Sequence, residues 1–109
     1  TFGGNPGCCA GAVNILSRID DRLLEGVRER SDYLRRTLQA APGIRSVTGM
    51  GLMLGLEIDI PAREFAERAL REGVLVTTAK QKIRLLPALN IPMELLKTAA
   101  QALVHCAAE

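Results

Sequence analysis

Ile44-Arg45-Ser46-Val47-Thr48, then Gly49-Met50-Gly51, then Leu52-Met53-Leu54-Gly55-Leu56-Glu57-Ile58-Asp59-Ile60 is the stretch that decides the fold. Short apolar and β-branched runs on either side of a glycine pair predict a strand over 44–48, a turn at 49–51 and a longer strand over 52–60, with Gly55 inside it. Pro61 closes the run and fits the first turn of a helix, because its missing N–H would have no partner there anyway. Gly49-Met50-Gly51 is no nucleotide loop, since a strand and not a helix follows it.

Downstream, a helix from Pro61 to about Glu72 turns Phe65, Ala66, Ala69 and Leu70 inward, and Gly73 suits its C-terminal end. Val74-Leu75-Val76 predicts a strand, Thr77 to Gln81 a polar loop, and Ile83 to Leu86 another strand stopped by Pro87. Pro92 opens a last helix with Leu95, Leu96, Ala99, Leu103 and Cys106 inward. Upstream, Cys9, Ala12, Val13, Leu16 and Ile19 recur at helical spacing after Pro6. Asp20-Asp21 breaks that helix and starts another, carried by Leu23, Leu24, Val27, Leu34 and Leu38 to about Ala41, where Pro42-Gly43 stops it. Arg28, Glu29, Arg30, Arg35 and Arg36 read as its solvated face. The order predicts an α+β fold: a small, antiparallel-rich sheet of about three or four strands covered on one face by helices and preceded by a long helix.

A chain of 109 residues that is 48% hydrophobic and 24% charged is ordinary for one small domain. Its aromatic residues are Phe2, Tyr33 and Phe65, so the core must be built of Leu, Ile, Val, Ala and Met. A net charge of +2 argues against a nucleic-acid binder. No apolar run approaches membrane-spanning length, and no segment has the pattern of a signal peptide. Cys8, Cys9 and Cys106 make no disulfide framework and no metal spacing. They read as buried small hydrophobes in a reducing, cytoplasmic setting.

Three places invite a functional reading. His105, the one histidine, fits a polar position near a helix C-terminus. Thr1-Phe2-Gly3-Gly4-Asn5-Pro6 sets a hydroxyl beside a glycine turn, an N-cap asparagine and a helix start. That is either an ordinary capped helix or a phosphate contact. Ligand loops are rarely complete at a terminus, so the chain reads as a piece of a longer protein. Arg84 stands in the apolar segment Ile83-Arg84-Leu85-Leu86-Pro87. It is either an edge-strand charge or ion pair, or a guanidinium fork for a substrate carboxylate.

Taken together, Thr1 to Pro6 with the Cys9-Ala10 helix, Gly49 to Gly55, Gly73-Val74-Leu75-Val76 and Ile83 to Pro87 resemble the C-terminal part of the class III aminotransferases, in the fold-type I group of pyridoxal-phosphate enzymes. The motifs run in the family's order across essentially the whole chain. The resemblance points first to the branch acting on N-acetylornithine, beside those acting on ornithine, succinylornithine and 4-aminobutyrate. It implies an enzyme of arginine biosynthesis that moves the terminal amino group of N-acetylornithine to 2-oxoglutarate, forming glutamate, as a cytoplasmic homodimer with pyridoxal 5'-phosphate as cofactor. It implies that residues 1–20 join a large domain absent from this chain and that 21–109 form the C-terminal small domain. Thr1 matches a threonine that bonds the cofactor phosphate of the neighbouring subunit. Arg84 matches an arginine that engages the substrate carboxylate, or a carboxylate side chain that gates it. The cofactor-holding lysine lies upstream in the family, and Lys80, Lys82 and Lys97 match no such position. The chain by itself therefore carries no catalytic residue and is expected to be inactive, and no metal is implied. A non-catalytic interaction domain with this fold is the alternative. Ala88 stands where the family commonly has a second proline, and Lys80-Gln81-Lys82 where it is rich in glycine. The first helix, cut from its expected neighbour, should expose its apolar stripe and favour self-association.

Overall fold

The computed structural model describes residues 1–108. Helix α1 (Pro6–Arg18) is followed by α2 (Asp21–Gln39), strands β1 (Ile44–Met50) and β2 (Met53–Ile58), helix α3 (Ala62–Arg71), strands β3 (Thr77–Ala79) and β4 (Lys82–Leu85), and helix α4 (Met93–Ala108). The four strands form one sheet in the order β1-β2-β4-β3, with every neighbouring pair antiparallel. The α+β architecture expected from the sequence is what the chain adopts.

The β1–β2 hairpin closes one residue later than the glycine pattern suggests. Gly49 and Met50 belong to β1, Met50 pairs with Met53, and the turn is Gly51-Leu52. A two-residue hairpin loop with φ positive only at its first central residue is the II′ arrangement, and Gly51 at φ +56 meets it. Gly49 is held for another reason: at φ +126, a Cβ there would run into the carbonyl oxygen of Met53.

Alternation along the strands divides the sheet into two faces. Val47, Leu54, Leu56, Ile83 and Leu85 point to the core, where Leu56 and Ile83 are fully buried. Three helices cover that face. α2 packs on β1 and α4, and α3 on α4, β3 and β4. Val27, Leu34 and Leu38 come from α2, Ala62, Phe65 and Ala69 from α3, and Leu96, Ala100, Leu103 and Cys106 from α4. Leu70 and Leu95, expected inward, are 59% and 60% exposed. Each lies one position from a buried neighbour, Ala69 and Leu96, and so turns onto the opposite side of a narrow inward stripe.

Other expectations shift. Val74-Leu75-Val76 is not a strand: the Val74 N–H returns to the Ala69 carbonyl and finishes α3, and the ladder starts at Thr77, inside the expected loop. Not all of the polar side of α2 is free in solvent. Arg30 Nε donates to the Ile91 carbonyl at 2.7 Å, and Arg35 donates to the Gly49 carbonyl, so two arginines tie α2 to distant backbone. Cys106 is buried as expected, whereas Cys8 and Cys9 are exposed.

α1 is well formed locally. Asn5 Oδ1 accepts from Cys8 N at 3.0 Å, and Pro6 occupies the first turn. Yet α1 buries no residue, and Val13, Ile15 and Leu16 are 68%, 62% and 65% exposed. The radius of gyration is 15.7 Å, against about 13 Å for a compact chain of 100 residues. The excess reflects an elongated molecule of 48 × 31 × 22 Å.

Candidate functional site

The face of the sheet turned away from the helices carries the candidate site. Register places Thr48, Gly55, Arg84 and Thr77 in one row across all four strands. Arg84 therefore sits on an interior strand, and the edge-strand reading of this arginine is corrected. Its exposure follows from alternation: Ile83 and Leu85 take the core side, which sends Arg84 to the open side.

The direct cross-strand partners of Arg84 are small and neutral. Gly55, opposite it on β2, contributes no side chain, and Thr48 stands beyond. On the other flank Thr77 is its direct partner, and Arg84 Nε donates to Thr77 Oγ1 at 3.1 Å. The Thr77 hydroxyl in turn donates to the Arg84 carbonyl at 3.4 Å. Among the described residues the ion pairs are Arg45–Asp59, Arg63–Glu67, Arg68–Glu64 and His105–Glu72, and none includes Arg84. Glu57, on the same open face, accepts from Ser46 Oγ at 2.9 Å. The ion-pair alternative for Arg84 thus has no partner within the described chain. What stands there is an exposed guanidinium with Nε occupied and its two terminal nitrogens unpaired with any described carboxylate, an arrangement suited to a carboxylate in fork geometry.

Thr1 lies elsewhere, in the exposed segment before α1. The Asn5 N–H donates to the Phe2 carbonyl at 3.1 Å and closes a turn through Gly3 and Gly4. A Cβ on either glycine would meet nothing within 4 Å, so the backbone here is open to close approach. The helix start offers less than its sequence suggests. Pro6 has no N–H, the amide of Cys8 is taken by Asn5 and that of Cys9 by the Asn5 carbonyl. This leaves the Gly7 amide as the one free donor of the first turn, with Thr1 upstream in the same exposed segment. A free helix-start amide suits one edge of a phosphate, and the exposed residues around it do not enclose a cofactor ring. No hydrogen bond or ion pair joins the Thr1 segment to the Arg84 face among the described residues.

Thr77 is the member of the site that sequence reasoning missed, because it fell in the expected loop. A signal was available: centring a hairpin on Lys80-Gln81 pairs Ala79 with Lys82 and Thr77 with Arg84. No group of His, Cys, Asp and Glu among the described residues could hold a metal ion, and no helix is long and apolar enough to cross a membrane. His105 sits in the last turn of α4, 3.9 Å from Glu72, away from both candidate regions.

Known proteins resemble the chain along its length. It is 38% identical to the acetylornithine aminotransferase of Haemophilus ducreyi, over 100% of this chain and 28% of that protein. It is 40% identical to the ornithine aminotransferase of Bordetella pertussis, over 96% of this chain and 27% of that protein. Among solved structures, the ornithine aminotransferase of Toxoplasma gondii superposes with a TM-score of 0.84 at 27% identity, covering 99% of this chain and 28% of that one. The N-acetylornithine aminotransferase of Stenotrophomonas maltophilia shares the fold, with a TM-score of 0.76 at 24% identity over 89% of this chain and 29% of that one. The chain thus spans little more than a quarter of the length of these relatives. The family model described as aminotransferase class-III matches residues 1–107, and the chain belongs to that family.

Proposed function

We infer that the full-length protein carrying this chain is a pyridoxal-phosphate-dependent aminotransferase that moves the terminal amino group of N-acetylornithine to 2-oxoglutarate, in the cytoplasm and in arginine biosynthesis. The observation that carries this reading is Arg84. It is a guanidinium with no carboxylate partner among the described residues, presented on an open sheet face in a chain whose family handles amino and oxo acids. In this role Arg84 takes a carboxylate of glutamate or 2-oxoglutarate and fixes the substrate's direction. Thr1, with the open glycines behind it, bonds the cofactor phosphate from the edge of a neighbouring subunit in a homodimer. The cofactor, when bound, supplies the electron sink and the carrier for the amino group. The lysine that holds it belongs to the part of the protein outside this chain, so the 109-residue chain alone is inactive.

Ornithine is the second donor to weigh, because the chain is as similar to ornithine aminotransferases as to acetylornithine ones. Transaminase turnover of the full-length protein with N-acetylornithine, ornithine and 4-aminobutyrate in competition tests both readings. Fastest turnover with N-acetylornithine is the expected result. A preference for ornithine moves the enzyme to the sister branch, and no turnover with any amino donor favours an interaction domain. The 109-residue chain, assayed beside it, should show none.

A further inference from the structure

Arg84 is not simply exposed; its side chain is fixed on one side by its cross-strand partner. Thr77 Oγ1 accepts from Arg84 Nε at 3.1 Å and donates to the carbonyl of the same residue at 3.4 Å. A hydroxyl has one proton, so committing it to the carbonyl leaves its lone pairs for Nε–H and fixes the sense of both bonds. The two residues are direct partners in the β3–β4 register, so the ladder itself holds them side by side. Gly55 on the other flank puts no side chain against the guanidinium.

We propose that Thr77 is a positioning residue for Arg84, and that by occupying Nε it makes Arg84 receive a substrate carboxylate end-on through Nη1 and Nη2. A guanidinium can meet a carboxylate side-on, through Nε and one Nη, or end-on through both Nη groups. With Nε–H already bonded, the side-on fork is closed and the end-on fork is pre-oriented, which lowers the ordering cost of binding. The proposal rests on Arg84 being the carboxylate site and adds to it the residue that sets its angle.

The test uses the full-length protein, with KM for 2-oxoglutarate, kcat, and calorimetric binding of glutarate as a dicarboxylate probe. Thr77→Val keeps a β-branched side chain on an exposed edge strand and removes only the hydroxyl. It should raise KM for 2-oxoglutarate and weaken glutarate binding by about five- to tenfold, the cost of ordering one long side chain that is no longer held in place. kcat at saturating oxo acid should hold, the pattern of a lost binding contact. Thr77→Ser should restore both constants, and Thr77→Val should add nothing in an Arg84→Ala background. If Arg84→Ala raises KM while Thr77→Val leaves it at the wild-type value, Arg84 keeps its role and the positioning proposal fails. A Thr77→Val effect that persists without Arg84 also overturns it, because the residue then acts through the fold. An unchanged KM in Arg84→Ala removes Arg84 from the substrate site and this proposal with it.

Discussion

Helices α1 and α2 are opened by the same chemistry and reach opposite ends. Asn5 caps Cys8 at 3.0 Å and Asp20 caps Leu23 at 2.8 Å, each side chain accepting from a first-turn amide. Both helices carry apolar residues at helical spacing. Yet α2 buries Val27, Leu34 and Leu38 against β1 and α4, whereas α1 buries nothing. Local signals establish that a helix forms; only a surface to pack against turns its apolar stripe into stability. The buried contacts of the fold lie in residues 21–108, and α1 is a helix whose apolar side is left unburied.

Substitutions in the two regions should separate sharply. The largest effect belongs to the core side: Phe65 is fully buried under the sheet, and Phe65→Ala should cost about 3–5 kcal/mol in urea unfolding of the 109-residue chain. A loss under 1 kcal/mol, on the order of a surface change, would mean that the helices do not close over the sheet in solution. Next comes the matched pair of caps. Asp20→Ala should cost about 1 kcal/mol, because α2 unfolds with the core, while Asn5→Ala should leave the global transition unmoved. Equal losses at the two caps would show α1 coupled to the rest and break the comparison. The smallest effect on stability is expected at Val13→Ser with Leu16→Ser, within about 0.5 kcal/mol. The same double change should lower the molar mass seen by light scattering at high protein concentration, since an exposed apolar stripe of this kind favours self-association. A chain that is strictly monomeric before the change would show that the stripe draws no second copy.

The sheet shows how far local pattern reaches. The β1–β2 hairpin was legible because glycine, β-branched residues and Pro61 all agree on it; the turn moved by one residue, and the second strand ends at Ile58, two residues short of the expected Ile60. β3 was misplaced because Val74 and Val76 are apolar for a different reason. They pack against the core from the segment that ends α3, and the Val74 amide is spent on Ala69. Apolar character reports burial, not ladder pairing. The same limit hid the anchoring of Arg30 and Arg35, whose acceptors Ile91 and Gly49 lie far away in sequence. Cys8 and Cys9 lie exposed although free cysteine usually lies buried, since α1 has no neighbour to bury them.

Arg84 was legible as a candidate residue and its surroundings were not, while Thr1, the other candidate, lies apart from that face. The sequence by itself determined the order of helices and strands, the alternation that sends Arg84 away from the core, and the motifs that place the chain in its family. Those are short-range facts, set by spacing, caps and turn chemistry. Only the tertiary structure decided that β4 enters between β2 and β3, because strand order depends on which distant segments pair. That insertion makes Arg84 an interior-strand residue with Gly55 on one flank and Thr77 on the other. It also decided that the polar segment after Val76 is a strand whose first hydroxyl holds the guanidinium, a side-chain contact that a hairpin centred on Lys80-Gln81 permits and only the folded ladder makes.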